Sequence, residues 1–236
     1  MEIAYQIFEY LPLKYKNPSD AKYFSFLINS VEQNYNFQNY HFAIVTLHMI
    51  YMGIVYHYIY GIYRADKNRF EYVLIGFYDV LKKGKIKDFS EISWHVFSII
   101  NESTIFQFFR AVAFPNDKIG ELNSPVKKRN DILHTNGIFV QSEEEFEIQS
   151  KQYLKNLEKI HTHCVQEYKS LFFQFLNEIK FGMSNVDEAI QYLEQNFIKE
   201  FGINIKILQD IYYSIPKSQY PRNKKRFFQA IEKIIR

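Results

Sequence analysis

Two side chains in the stretch Lys127-Lys128-Arg129-Asn130-Asp131-Ile132-Leu133-His134-Thr135-Asn136-Gly137 could do chemistry together. Arg129 offers a planar, permanently charged fork that matches a phosphate. His134 titrates near neutrality and can move a proton. The pair suits cleavage of RNA by its own 2′-hydroxyl. His134 would give or take the proton, and Arg129 would hold the phosphate and its developing charge. That chemistry needs no metal. On a helix, Asn130 and His134 stand about 40° apart and share a face, whereas Arg129 and His134 stand about 140° apart. The arginine must therefore reach round to a phosphate near the imidazole. Lys127 and Lys128 add charge for substrate, and Val126, Ile132 and Leu133 can anchor the opposite side in a core.

Other elements must position that stretch. Ser124-Pro125 reads as an N-cap and a first helical residue, and Gly137 as a stop, so a short helix is predicted over 125–136. Ser142-Glu143-Glu144-Glu145 matches a capping box and opens a long helix to Phe181, ended by Gly182. Upstream, Pro18-Ser19-Asp20 starts a helix over 20–34. A long helix reaches about Tyr63 and a shorter one covers 70–82, with lysines in its last turn and Gly84 beyond. Another runs from Ser90-Glu91 to about Val112, and 114–123 reads as a loop around Pro115 and Gly120. Downstream, a cap within Ser184–Asp187 and helices at 185–200, 204–214 and 223–235 follow, with breaks at Pro216 and Pro221.

Arg-Asn, three residues and His on a short capped helix between two long ones resembles the Arg-x4-6-His signature of HEPN domains. Asn130 matches the polar residue that often follows the arginine in that superfamily. The resemblance covers about residues 20–181. It implies an all-α, up-and-down helical bundle that dimerises, with two copies of the motif facing each other. It also implies a metal-independent endoribonuclease of toxin–antitoxin, anti-phage or RNA-processing systems, although some members only bind. Arg129 and His134 carry over as the catalytic pair and Asn130 as orienter, with RNA as substrate and an antitoxin or regulatory protein as a further partner. One toxin branch has a modifiable tyrosine two residues after the histidine. Asn136 stands there, so that control is not expected.

Composition fits this reading. The chain has 236 residues, 47% of them hydrophobic, with 23 Phe and 19 Tyr but only 8 Gly and 6 Pro, which leaves little room for a turn-rich β fold. Cys164 alone excludes an internal disulfide framework and a four-thiolate zinc site. His161, His163 and Cys164 sit together, but the two histidines fall on opposite sides of a helix, so no metal or other cofactor is expected. The net charge of +3 permits nucleic-acid binding without demanding it. A soft boundary near Gly182 divides a bundle at 1–182 from a helical extension at 183–236. Lys224, Lys225 and Arg226, interleaved with Phe227 and Phe228, form a candidate RNA-backbone contact.

Phe42–Tyr63 lacks Asp, Glu, Lys and Arg and is long enough to span a bilayer, but His48, His57 and five tyrosines argue for a buried central helix. Tyr56, Tyr60 and Tyr63 form a stripe on it. The start of the chain lacks the pattern of a secretory leader. A cytoplasmic protein without a membrane partner is expected. The competing readings are a non-catalytic HEPN-like module that binds RNA or protein, and a membrane-associated helical protein.

Overall fold

A computed structural model of the chain describes residues 1–76, 93–133, 140–215 and 224–236. The described residues form helices, with no strand among them. Short α1 (Glu2–Phe8) leads to α2 (Pro18–Asn36), α3 (Tyr40–Ala65) and α4 (Lys67–Ile75). Asn17 caps α2 by accepting from the Ser19 amide, and Pro18 takes the first helical position, where it loses no hydrogen bond.

Helix α3 is the axis of the molecule. It is buried nearly all round, packing mainly on α2 and on a long later helix, α7 (Glu143–Glu178). It is the one helix among the described residues long and apolar enough to cross a membrane, and most of its apolar stretch is buried within the protein. Tyr56 and Tyr63 belong to this core, and Tyr60 is half-buried.

Two glycines set how closely α3 is approached. A Cβ on Gly53 would lie 2.6 Å from Phe24 Cζ of α2, and one on Gly61 would lie 2.0 Å from the Tyr168 hydroxyl of α7. Ser142 opens α7 as expected. Its hydroxyl accepts from the Glu145 amide at 3.2 Å, while the Glu145 carboxylate accepts from the Gln141 amide at 2.7 Å. At 36 residues, α7 is about 54 Å long.

Between α4 and α7 the chain departs from the expected pattern. The single helix expected from Ser90 to Val112 is broken. A 3-10 turn at Trp94–Ile99 is followed by an extended Ile100, a helical turn at Glu102–Ile105 and a second 3-10 stretch at Phe106–Val112. Asn101 causes the break by capping instead of continuing, with its side chain accepting from the Ser103 amide.

The loop expected at 114–123 is largely helix α5 (Asn116–Leu122). Pro115 leads into it, Asp117 suits its first turn, and Ile119 and Leu122 are buried on one face. The next helix, α6 (Ser124–Leu133), follows at once. The Asn123 carbonyl accepts from the Lys127 amide, so the lead-in residue is Asn123 and Ser124 is already helical. The expected ends at Lys82–Gly84, Ser90-Glu91 and Gly137, and the breaks at Pro216 and Pro221, lie outside the described residues.

After Gly182 come α8 (Val186–Leu193), a wide turn at Glu194–Ile198, a closing turn at Lys199–Phe201, α9 (Ile205–Ser214) and α10 (Lys225–Ile235). Packing is continuous across Gly182. Phe172 and Phe175 of α7 touch Phe197, Phe227 and Phe228, and all lie in one core. Asn204 caps α9 and also donates to the Tyr10 carbonyl and the Tyr58 hydroxyl, at 3.1 and 3.2 Å. Glu200 pairs with Lys16 and Arg64.

Candidate functional site

Helix α6 buries Pro125, Val126 and Ile132 and exposes Lys127 and Lys128. Its start is fixed from α7. Asn156, fully buried, donates to the Leu122 carbonyl at 3.4 Å and toward the Tyr51 hydroxyl at 3.5 Å. The half-buried Arg129 points back at the bundle and donates from Nη2 to Glu102 Oε2. The same carboxylate oxygen lies 3.0 Å from His48 Nε2, and His48 Nδ1 lies 3.2 Å from the Tyr153 hydroxyl. Tyr153 in turn stacks on Tyr51 at 4.9 Å. Arg129, Glu102, His48 and Tyr153, from four elements, thus form one polar chain running from the surface into the core.

Charge assignment follows from burial. Burial pushes the Glu102 carboxyl up, but hydrogen bonds and charge from His48 and Arg129 outweigh it and hold Glu102 below its usual range. Burial also dominates at His48, lowering it despite the Glu102 carboxylate. At neutral pH the chain therefore reads Arg129 cation, Glu102 anion, neutral His48. Nε2–H of His48 donates to Glu102, and Nδ1 accepts from Tyr153. Arg129 Nε is buried with no partner among the described residues. A guanidinium half engaged by one carboxylate keeps further N–H groups for a second anion.

Removing Glu102 should be felt in stability. Glu102→Ala would leave a partly buried guanidinium and the Nε2 of a buried imidazole without their acceptor, and should cost about 1–3 kcal/mol. Glu102→Gln, which keeps an acceptor, should cost less. Urea unfolding of the two variants checks the order.

Two buried histidines, His48 and His57, and the half-buried His161 contribute to the acid response. His48 and His161 are lowered by burial, and burial pushes His57 down to about 3. A depressed folded value means that the unfolded chain takes up the proton first. Stability is therefore fully present above the ordinary histidine value and is lost as pH falls through the folded one. The melting temperature should drop steadily from about pH 6.5 toward pH 3. His57→Phe should flatten that slope in a pH series of thermal melts.

The remaining expected residues divide. His134 lies outside the described residues, directly after Leu133 at the end of α6. Asn130 is half-buried, with no side-chain hydrogen bond among the described residues. Lys225 and Arg226 are exposed on α10. Lys224 is not available to a phosphate, because it is buried and its ammonium donates to the Ile179 carbonyl. The basic helix also sits far from Arg129. It packs beside Phe175, 22 residues along α7 from Tyr153, which is about 33 Å. Within one chain the two groups do not converge.

No metal-binding group of His, Cys, Asp and Glu occurs among the described residues. His161 bridges the Tyr58 hydroxyl and Asp210, both at 2.8 Å. His163 faces the Lys159 carbonyl, and Cys164 is buried. Sequence reading missed Glu102 and assigned His48 no partner. The only hint was that His41 and His48 share a face of α3, and His41 does hold the Val140 amide at 3.4 Å.

No family model, curated protein or solved structure matches the chain.

Proposed function

We propose that the protein is a metal-independent endoribonuclease of HEPN type, with Arg129 and His134 as its working pair. The observation that carries this reading is Arg129 itself. It is held half-buried by Glu102 on a helix exposing Lys127 and Lys128, five residues before a histidine. The guanidinium would hold the scissile phosphate with its remaining donors. His134 would take the proton of the 2′-hydroxyl as that oxygen bonds to phosphorus, and the same residue or its symmetry mate would return a proton to the departing 5′-oxygen. Products would carry a 2′,3′-cyclic phosphate and a 5′-hydroxyl. Glu102 and His48 act as positioning residues, fixing the guanidinium before substrate arrives.

One copy supplies one Arg–His pair, and Lys225 and Arg226 lie remote from Arg129. A homodimer juxtaposing two motifs belongs to the proposal, as do a cytoplasmic setting and a regulatory protein that covers the motif. The test is RNA cleavage in EDTA by wild type and by Arg129→Ala. Cleavage by wild type and a loss of about 10²–10³-fold in the variant are expected.

The Arg129–Glu102 pair also favours a second reading, a structural clamp in a module that binds RNA without cutting it. RNA retention without cleavage by wild type would select that reading.

A further inference from the structure

A second place in the molecule has the makings of a ligand site. A cavity of about 230 Å³ opens where the loop before α2, helix α3, the Trp94 turn and the Lys199–Gly202 turn meet. Part of its wall is His57, buried and neutral, with neither ring nitrogen hydrogen-bonded among the described residues. Buried polar groups are seldom left unpaired, because each costs about 1–3 kcal/mol. A neutral imidazole offers one donor and one acceptor.

The rest of the wall is aromatic. Trp94 stacks on His57 at 4.7 Å, and Tyr15 meets it edge-on at 6.0 Å. Trp94 is itself fixed, with its indole N–H donating to Asp20 at 2.9 Å. On the fourth side Gly202 adopts φ +62°, and a Cβ there would sit 3.2 Å from His57 Nδ1, so glycine lets the chain close against the imidazole.

The charged lining is three lysines against Asp20 and Glu200. The lysines are Lys14, Lys16 and Lys199, and α2 begins there behind its Asn17 cap. Lys16 pairs with Glu200 and Lys14 with Glu194, while Lys199 has no ion-pair partner among the described residues. Asp20 is occupied by Trp94 and His95. A helix N-terminus with lysines favours a negative group.

The geometry points to a binding site here for a small, flat heteroaromatic ring carrying an anionic substituent. Its ring would enter edge-on toward His57, beside Trp94 and Tyr15, whose faces already pack against His57, His95 and Phe24, and its phosphate or carboxylate would sit at the lysines. The cavity is smaller than usual ligand pockets, which limits the occupant to one ring system and excludes a dinucleotide. The site is separate from Arg129, so it stands or falls independently of the ribonuclease reading.

Trp94 is the only tryptophan in the chain, so fluorescence excited beyond tyrosine absorption reports on this cavity alone. Titration of the full chain with AMP, with nicotinate and with inorganic phosphate tests the proposal and separates the two anionic groups. A saturable change with AMP or nicotinate, half-complete below about 1 mM, is expected. Lys199→Glu, a half-exposed change that should leave folding intact, is expected to weaken binding about tenfold, equivalent to about 1.4 kcal/mol. His57→Phe should remove it. No saturable response to either aromatic probe would overturn the proposal. So would the same response to phosphate alone, or unchanged affinity in Lys199→Glu.

Discussion

Replacing Arg129 and His134 together with alanine is expected to lower RNA cleavage by about 10³-fold or more, measured as initial rate on total RNA in EDTA. In the proposed reaction each residue would supply a separate part of the barrier. Proton transfer by a positioned histidine contributes about 10²–10⁴-fold, and one fixed donor to a developing oxyanion about 10²–10³-fold. Because the two would act in one step, their losses should not multiply, and each single variant should come close to the double one. Loss of activity must be separated from loss of fold, because Arg129 also holds Glu102. Arg129→Lys keeps the positive charge but not the fork. It should melt near wild type and still cut poorly, since one point charge cannot satisfy Glu102 and a phosphate bidentately. Full activity in Arg129→Lys would mean that charge alone is at work.

The second large effect concerns packing. Gly61→Ala should destabilise the protein by about 3 kcal/mol or more, the upper end of overpacking penalties. The new methyl would fall 2.0 Å from the Tyr168 hydroxyl and 2.4 Å from Cζ. Tyr168 is buried on the long helix that packs along α3 and cannot swing to solvent. For a chain this size, the change should lower the melting temperature by about 6–12 °C. Adding Tyr168→Phe should recover part of the loss. Gly120→Ala makes the contrasting control. Its Cβ would meet nothing within 4 Å, and a helical glycine replaced by alanine should be neutral or mildly stabilising. Equal melting of Gly61→Ala and wild type would mean that α3 and α7 do not approach as described.

The helical class and several helix ends were legible because local chemistry sets them. Pro18-Ser19-Asp20 marks the start of α2, which the structure caps with Asn17, and Ser142 with Glu145 starts α7 through contacts only a few residues apart. The buried central helix was legible from its composition, since histidines and tyrosines that suit a core are costly in lipid. The α5 helix was hidden by Pro115 and Gly120, which read as loop residues although proline also favours the lead-in to a helix. The Ser90–Val112 stretch looked continuous because an asparagine inside a hydrophobic run carries no sign of whether it will cap or continue.

The site was legible only in its local half. Arg129, Asn130, Lys127 and Lys128 lie in one stretch, so spacing shows them. Glu102 and His48 reach Arg129 through tertiary packing across 27 and 81 residues, and no periodicity encodes that. Lys224 misled for the opposite reason. Its neighbours suggest a basic surface, while the fold turns its ammonium inward to a helix-end carbonyl.

The measurement that bears most directly on the central claim is the chemistry of the cut ends. Wild-type protein in EDTA should cleave an oligoribonucleotide to 2′,3′-cyclic phosphate and 5′-hydroxyl termini, and should leave the same oligonucleotide uncut once its 2′-hydroxyls are replaced by hydrogen. Cleavage of the 2′-deoxy strand, or products bearing 5′-phosphates, would contradict the assignment of Arg129 and His134 to attack by the substrate's own hydroxyl.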